Sequence, residues 1–198
     1  MSEYELLRAE ILLRSEARTQ YNNILYAVVA AILTYAFSQD NYFLFLVPYI
    51  VILPLYLLSE NSRRSTVRLA TYMYVFLEGQ EYHWETRQWE QDKMNRAKRS
   101  TIAHYFYLMK TRTQYFLVSL ICSISATYKV ISSNMDKTGK CASFLFIWIL
   151  AILVIIIMMI NITDYTKIKY AFIQQWQAVK AAEEQEAQKR KNNNRNPQ

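Results

Sequence analysis

The stretch FLFIWILAILVIIIMMI, residues Phe144–Ile160, decides the fold class of this chain of 198 residues. It lies inside an uncharged segment that extends from Cys141 to Thr163. A helix needs about 20 predominantly apolar residues to cross the hydrocarbon core of a bilayer. A buried helix of a soluble protein rarely reaches this length without one charged residue, so the segment is predicted to span a membrane.

Three further uncharged stretches have the same character. They are Ile24–Ser38, Asn41–Ser59 and Thr113–Tyr128. The chain has only 2 glycines and 3 prolines, too few for the turns of a many-stranded β protein, and its 2 cysteines cannot form a disulfide scaffold. We therefore predict an all-α integral membrane protein with four transmembrane helices.

The spacing of the spans predicts two helical hairpins with cytosolic helical extensions. Both hairpin turns are short, Ser38–Tyr42 in the first and 132–140 in the second, whereas a long polar stretch separates the hairpins. The predicted organisation is a cytosolic amphipathic helix (1–20), transmembrane hairpin 1 (21–59), a cytosolic helical region (60–112), transmembrane hairpin 2 (113–162), a cytosolic helix (163–191) and a disordered tail (192–198).

The basic residues predict the orientation in the membrane. The chain carries 23 lysines and arginines, and all of them lie in the three predicted cytosolic segments or the tail except Lys129, Lys137 and Lys140. Because cytoplasmic loops carry an excess of lysine and arginine, both termini are predicted to lie in the cytoplasm. The net charge of +7 is thus an orientation signal rather than a sign of an acidic partner.

A stripe of small hydroxyl residues is the most informative feature inside the spans. Ser119, Ser123 and Thr127 follow one another at i, i+4 and i+8 in the third span. They could line a narrow pore after oligomerisation, or they could let helices approach closely and hydrogen-bond. Since the spans contain no Asp, Glu, His or Arg, a proton-coupled transporter is not expected.

The cytosolic segments predict contacts with lipid and with protein. Lys98, Arg99, Arg18 and Arg112 are candidate contacts to anionic lipid headgroups. The apolar stripes of the cytosolic helices need a partner, so we expect a homo-oligomer, with a cytosolic protein partner as a further possibility. Nucleic-acid binding is not expected, because the charges alternate in sign and no binding motif accompanies them.

No pattern of catalytic, cofactor or metal-binding residues is recognisable. The densest polar group contains Glu78, Glu81 and His83, and their spacing matches neither HExxH nor a paired ExxH set. We therefore predict no catalytic residue, no cofactor and no metal. A lipid enzyme with these three residues at the membrane surface is the least favoured hypothesis.

The tetrapeptide RTQY occurs twice, at Arg18–Tyr21 and Arg112–Tyr115, each time at the cytoplasmic start of a hairpin. The chain resembles the small two- and four-transmembrane effectors of bacterial nucleotide-signalled defence systems, including the SLATT type. The resemblance lies in the number of spans, the spacing of the hairpins and the two RTQY copies. The resemblance implies membrane disruption or pore formation on a cytosolic cue, and a place in a bacterial inner membrane.

Two functions are therefore expected from the sequence. The first is a non-enzymatic, oligomeric membrane effector or channel-like protein that acts on membrane permeability. The alternative is a membrane scaffold whose cytosolic helices recruit a protein partner. The duplication suggested by the RTQY pair is a separate hypothesis, with convergent helix-end chemistry as its alternative.

Overall fold

A computed structural model of the chain describes residues 2–39, 41–77, 112–133, 136–161 and 165–195, together with Arg87, Glu90, Gln91 and Met94. These ranges are almost wholly helical, which confirms the all-α prediction. The α-helices are α1 (Glu3–Ser38), α2 (Tyr49–Tyr72), α3 (Thr113–Ser132), α4 (Lys137–Ile160) and α5 (Tyr165–Arg195).

Four helical segments are long enough and apolar enough to cross a bilayer, as predicted. They are Glu3–Ser38, Tyr42–Leu77, Thr113–Ser132 and Lys137–Ile160. The second segment is composite, because a 3-10 helix (Tyr42–Leu46) precedes α2 and one turn of π-helix (Met73–Leu77) follows it.

Helices α1 and α2 both continue past the predicted limits of their spans. The predicted cytosolic helix 1–20 and the first span form one helix, α1, without a break. Helix α2 likewise runs through Glu60 to Tyr72, so the segment after the second span continues that helix. Continuation of the helix pairs the backbone groups at this boundary with one another, whereas a break near the apolar region would leave them without partners.

The predicted disordered tail, 192–198, is helical as far as Arg195, where α5 ends. Extending an existing helix adds one hydrogen bond for each residue that is fixed, so propagation is much easier than nucleation.

The chain divides into two compact units. The apolar unit contains Ser15–Ser62 and Ser100–Ile162, and the polar unit contains Met1–Arg14, Arg63–Arg99 and Thr163–Gln198. Within the apolar unit, α1, α2, α3 and α4 share one core of buried side chains, among them Leu25, Val29, Ile52, Tyr56, Val118, Cys122, Ile147, Ala151, Val154 and Met158.

The outward faces of the apolar unit are also apolar. Large side chains exposed on α3 include Leu117, Leu120, Ile121, Ile124 and Ile131, and those on α4 include Leu145, Phe146, Ile149, Ile152, Leu153 and Ile156. A contiguous apolar surface of more than a few hundred Å² is rare on a soluble monomer and marks a surface that something apolar covers.

Within the polar unit, α5 packs on the end of α2 and on the π-helical turn through an aromatic cluster. The ring of Trp176 lies 5.3 Å from that of Tyr72 and 6.1 Å from that of Phe76, and the guanidinium carbon of Arg68 lies 5.6 Å from its centroid. Lys180 Nζ donates to the carbonyl oxygen of Val75 at 3.0 Å. The face of α5 that carries Trp176 therefore packs on the end of α2.

Candidate functional site

A buried ion pair joins α2 to the start of α3. Arg112 Nε donates to Glu60 Oε1 at 2.8 Å, and Arg112 Nη2 donates to Glu60 Oε2 at 2.6 Å, so the contact is bidentate. Only 1% of the Arg112 side chain and 4% of the Glu60 side chain are exposed. Two charges removed from water in this way must be matched closely, because each pays a desolvation penalty of several kcal/mol.

The ion pair lies at the start of α3. Arg112 is the N-cap residue, yet its own side chain makes no capping hydrogen bond to this helix. A cation at a helix N-terminus is unfavourable, whereas an anion there is stabilising. The carboxylate of Glu60 offsets the charge of the guanidinium at this position.

A second group of hydrogen bonds ties the first turn of α3 to α1. The side chain of Gln114 donates to Asn22 Oδ1 and accepts from the hydroxyl of Tyr26 at 3.1 Å. The hydroxyl of Tyr115 donates to Asn22 Oδ1 at 3.1 Å. The start of α3 is therefore fixed by contacts with two helices rather than by a local cap.

Tyr56 links α2 to the end of α4. Its hydroxyl donates to the backbone carbonyl of Met158 at 2.7 Å, and its ring meets that of Tyr115 edge-on at 5.5 Å. Met158 lies in the last turn of α4, where backbone carbonyls lack partners within the helix. A buried tyrosine is suited to this position, because its ring packs in the core while its hydroxyl satisfies the carbonyl.

The predicted hydroxyl stripe faces α2 inside the apolar unit. Ser119 and Ser123 are each 1% exposed. The hydroxyl of Tyr49 donates to the carbonyl oxygen of Ser119 at 2.8 Å and lies 2.6 Å from Ser123 Oγ. Thr127 is half-buried and donates to the carbonyl of Ser123 at 2.8 Å. Within the described residues, Ser119 Oγ is buried without a hydrogen-bond partner.

These contacts form one row of polar side chains, which we name the α2–α3 seam. Its residues are Tyr49, Tyr56 and Glu60 of α2, and Arg112, Tyr115, Ser119 and Ser123 at the start and along the inner face of α3. Residues four apart on a helix lie above one another, so the α3 members occupy successive levels of the unit. The seam is the polar interior of an otherwise apolar bundle.

The four predicted headgroup contacts occupy different environments. Arg112 is buried in the ion pair, so its guanidinium faces Glu60 rather than the surface. Arg18 is half-buried in the middle of α1, and its Nη2 donates to Ser15 Oγ at 3.3 Å. Lys98 and Arg99 lie outside the described residues.

The two RTQY copies also differ in their surroundings. The first copy lies in the interior of α1, whereas the second begins α3 with a buried Arg112 and a buried Tyr115. Asn22, the residue after the first copy, contacts the second copy through Gln114 and Tyr115. The duplication stays a hypothesis.

Sequence reasoning missed Glu60, Tyr49, Tyr56 and Tyr115 as members of the seam. The charge of Glu60 ends the apolar run, so the sequence places it in the polar stretch after the second span. A helical signal was present, since Tyr49, Tyr56 and Glu60 recur at intervals of seven and four residues and so share one face. The sequence did not indicate which helix that face contacts.

The described residues offer no obvious metal or thiol chemistry. No group of three or more His, Cys, Asp or Glu side chains in these ranges could hold a metal ion. Glu78, Glu81 and His83 lie outside them. Both cysteines are free thiols, with Cys122 buried in the core and Cys141 exposed.

We expect Tyr49→Phe to lower the free energy of unfolding in detergent by about 1 kcal/mol. The substitution keeps the ring and removes the hydroxyl that contacts Ser119 and Ser123, and interhelical hydrogen bonds in membrane proteins contribute about 0.5–2 kcal/mol. The control is Tyr35→Phe on α1, whose side chain is exposed. Equal losses in the two variants would show that the Tyr49 hydroxyl contributes nothing to the packing.

Comparison with known proteins gives no family for the chain. No protein-family model matches it, and neither a curated protein nor a solved structure matches it. The choice among functions therefore depends on the seam and on the surface around it.

Proposed function

We propose that the chain is an integral membrane protein whose apolar unit spans the bilayer, with both termini on the cytoplasmic side. The four long apolar helices and the bulky apolar side chains exposed on α3 and α4 support this. All but three of the 23 basic residues lie in segments assigned to the cytoplasmic side, in keeping with the excess of lysine and arginine in cytoplasmic loops. A bacterial inner membrane is the location that the architectural resemblance implies.

Within the membrane, the proposed function is that of a non-enzymatic, oligomeric effector that acts on permeability. The observation that carries it is the α2–α3 seam, because polar and ionisable groups inside a membrane bundle are costly and mark pathways for ions or water. Ser119 and Ser123 lie on this seam, hydrogen-bonded to Tyr49 through their backbone or hydroxyl groups. The described arrangement corresponds to a closed state, since buried side chains fill the seam.

The first test is flux from liposomes. Purified protein in vesicles loaded with potassium and a self-quenching dye should release the potassium, the dye or both, and empty vesicles should not. Ser119→Leu/Ser123→Leu should abolish the flux, because bulky apolar side chains would replace two hydroxyl groups on successive turns of the seam. The control Leu120→Ile/Ile124→Leu alters the exposed face of the same helix. Flux from the double leucine variant equal to that of the unaltered protein would rule out a path along the seam.

The second candidate is a membrane scaffold, and one observation in the polar unit favours it. The C-terminal part of α5, residues 181–191, is exposed along its whole circumference and carries acidic and basic side chains at helical spacing. A solvated helix of this kind can bind another protein. Co-purification of one stoichiometric cytosolic partner, lost on truncation after Lys180 and without any change in membrane permeability, would favour the scaffold over the effector.

A further inference from the structure

The last part of α5, residues 181–191, is helical although every residue in it is exposed. All of these residues are Ala, Glu, Gln, Lys or Arg, which are among the residues of highest helix propensity. Propensity therefore supports this segment where packing does not. A helix whose whole circumference is exposed has its surface available to a second helix.

One face of this segment, which we name the α5 charge face, has its charges in a fixed order around Ala187. Glu183 and Glu184 precede Ala187 by four and three residues. Arg190 and Lys191 follow it by three and four residues. Residues three and four positions apart on a helix are neighbours on its surface. The α5 charge face is therefore acidic before its centre, basic after its centre and small at the centre itself.

The four charged side chains of this face have no partner of opposite charge within the chain. Among the described residues, none of the four forms an ion pair. Lys180 lies three and four residues before the two glutamates, and its Nζ donates to the carbonyl oxygen of Val75 at 3.0 Å. The four charges thus remain for a partner outside the chain.

The order of these charges favours a second copy of the chain in antiparallel orientation. With the two Ala187 side chains in contact, Glu183 of one copy lies opposite Lys191 of the other, and Glu184 lies opposite Arg190. A two-fold axis between the alanines repeats both pairs, as in any self-complementary interface. Parallel packing would place each charge opposite the same charge, which is unfavourable.

The centre of the face suits this arrangement as well. The distance between two packed helices depends on the side chains at their contact, and alanine allows a close approach. Exposed ion pairs are individually weak and are screened by salt. Two copies in one bilayer have a raised effective concentration, however, so several weak pairs can join them.

We propose that two copies of the chain pair through the α5 charge face, antiparallel about Ala187. The proposal rests on the oligomeric effector proposed above, and it names the element through which the copies associate. Its occupant is a second copy of this chain, because the face is complementary to itself.

The test is disulfide cross-linking of the full-length protein in liposomes. Cys141→Ala removes the exposed thiol from every variant, and Cys122 is fully buried. Ala187→Cys then places a thiol at the axis. Lys180→Cys is the matched control on the same face, because antiparallel pairing separates the two copies of position 180 by 14 residues, about 21 Å along the helices.

We expect Ala187→Cys to cross-link and Lys180→Cys to cross-link at least about tenfold less. Reversal of the acidic half, Glu183→Lys/Glu184→Lys, should lower cross-linking at position 187 about tenfold, since each attractive pair becomes repulsive. Adding Arg190→Glu/Lys191→Glu to this variant restores the complementary order and should restore the cross-linking. Salt should weaken the cross-linking of the unaltered face. All of these side chains are exposed, so folding should not change.

Each outcome decides for or against the pairing. Equal cross-linking at positions 180 and 187 would overturn the antiparallel arrangement. Cross-linking at position 187 that is unchanged by the reversal, or that the four-residue exchange does not restore, would overturn the role of the charges. A stoichiometric cytosolic protein bound to residues 181–191, without cross-linking between copies, would also overturn the pairing.

Ion flux from the same liposomes tests the permeability function separately. Selective cross-linking at position 187 without flux would support the pairing and overturn the permeability function. Flux without selective cross-linking would support permeability and overturn the pairing.

Discussion

Arg112→Met should lower the free energy of unfolding by about 3–5 kcal/mol, because it removes the bidentate partner of the buried carboxylate of Glu60. Glu60→Leu should have a similar effect, since it removes the carboxylate that the guanidinium of Arg112 contacts at two points. These are the largest effects that we expect from single substitutions in the described residues, where both side chains are almost fully buried.

The double variant Glu60→Leu/Arg112→Met distinguishes this explanation from a simple loss of packing. Because both members of the pair are removed together, the double variant should lose clearly less stability than the sum of the two single losses. The measurement is unfolding in detergent, analysed as a double-mutant cycle, which isolates the coupling between the two side chains. Losses that add in the double variant would contradict a specific ion pair.

The second large effect concerns the outward surface of the apolar unit. Ile149→Arg should prevent stable insertion of the protein, because an arginine at the centre of a transmembrane helix costs about 2.5–3.5 kcal/mol. Ile149 lies near the middle of α4 and is 64% exposed. The measurement is the fraction of protein that stays in the membrane after carbonate extraction.

Ile131→Arg is the matched control, because Ile131 is also 64% exposed but lies in the last turn of α3. An arginine there can extend its guanidinium to the headgroup region, so insertion should be nearly unchanged. In a protein whose apolar unit faced water, both substitutions would be harmless or would improve solubility. Equal, unimpaired behaviour of the two variants would therefore overturn the proposed membrane location.

The sequence was most informative where the chain is most apolar. Phe144–Ile160 carries no charge and no proline or glycine, so an α-helix is the structure in which its backbone groups pair with one another in an apolar medium. The same reasoning located the other long apolar helices. The apolar composition predicted the ends of these helices less well. A charged residue such as Arg8 or Glu60 indicates where the chain leaves the apolar region, but it does not by itself end a helix.

The hydroxyl stripe shows the limit of periodicity. The spacing of Ser119, Ser123 and Thr127 predicted one helical face, and the structure places the first two together on the buried side of α3. The spacing could not choose between another helix of the same chain and a pore between subunits. In the structure, Tyr49 of α2 contacts this face of α3. Only the packing of α2 against α3 determines that contact.

The sequence by itself determined the all-α class, the four long apolar helices and the segregation of basic residues, because local composition and period dictate these properties. Only the tertiary structure decided which polar groups face one another. Glu60 and Arg112 are 52 positions apart in the chain, and the charge of each by itself indicates only where an apolar stretch ends. Their pairing depends on how α2 packs against α3, and helical periodicity contains no information about the neighbouring helix.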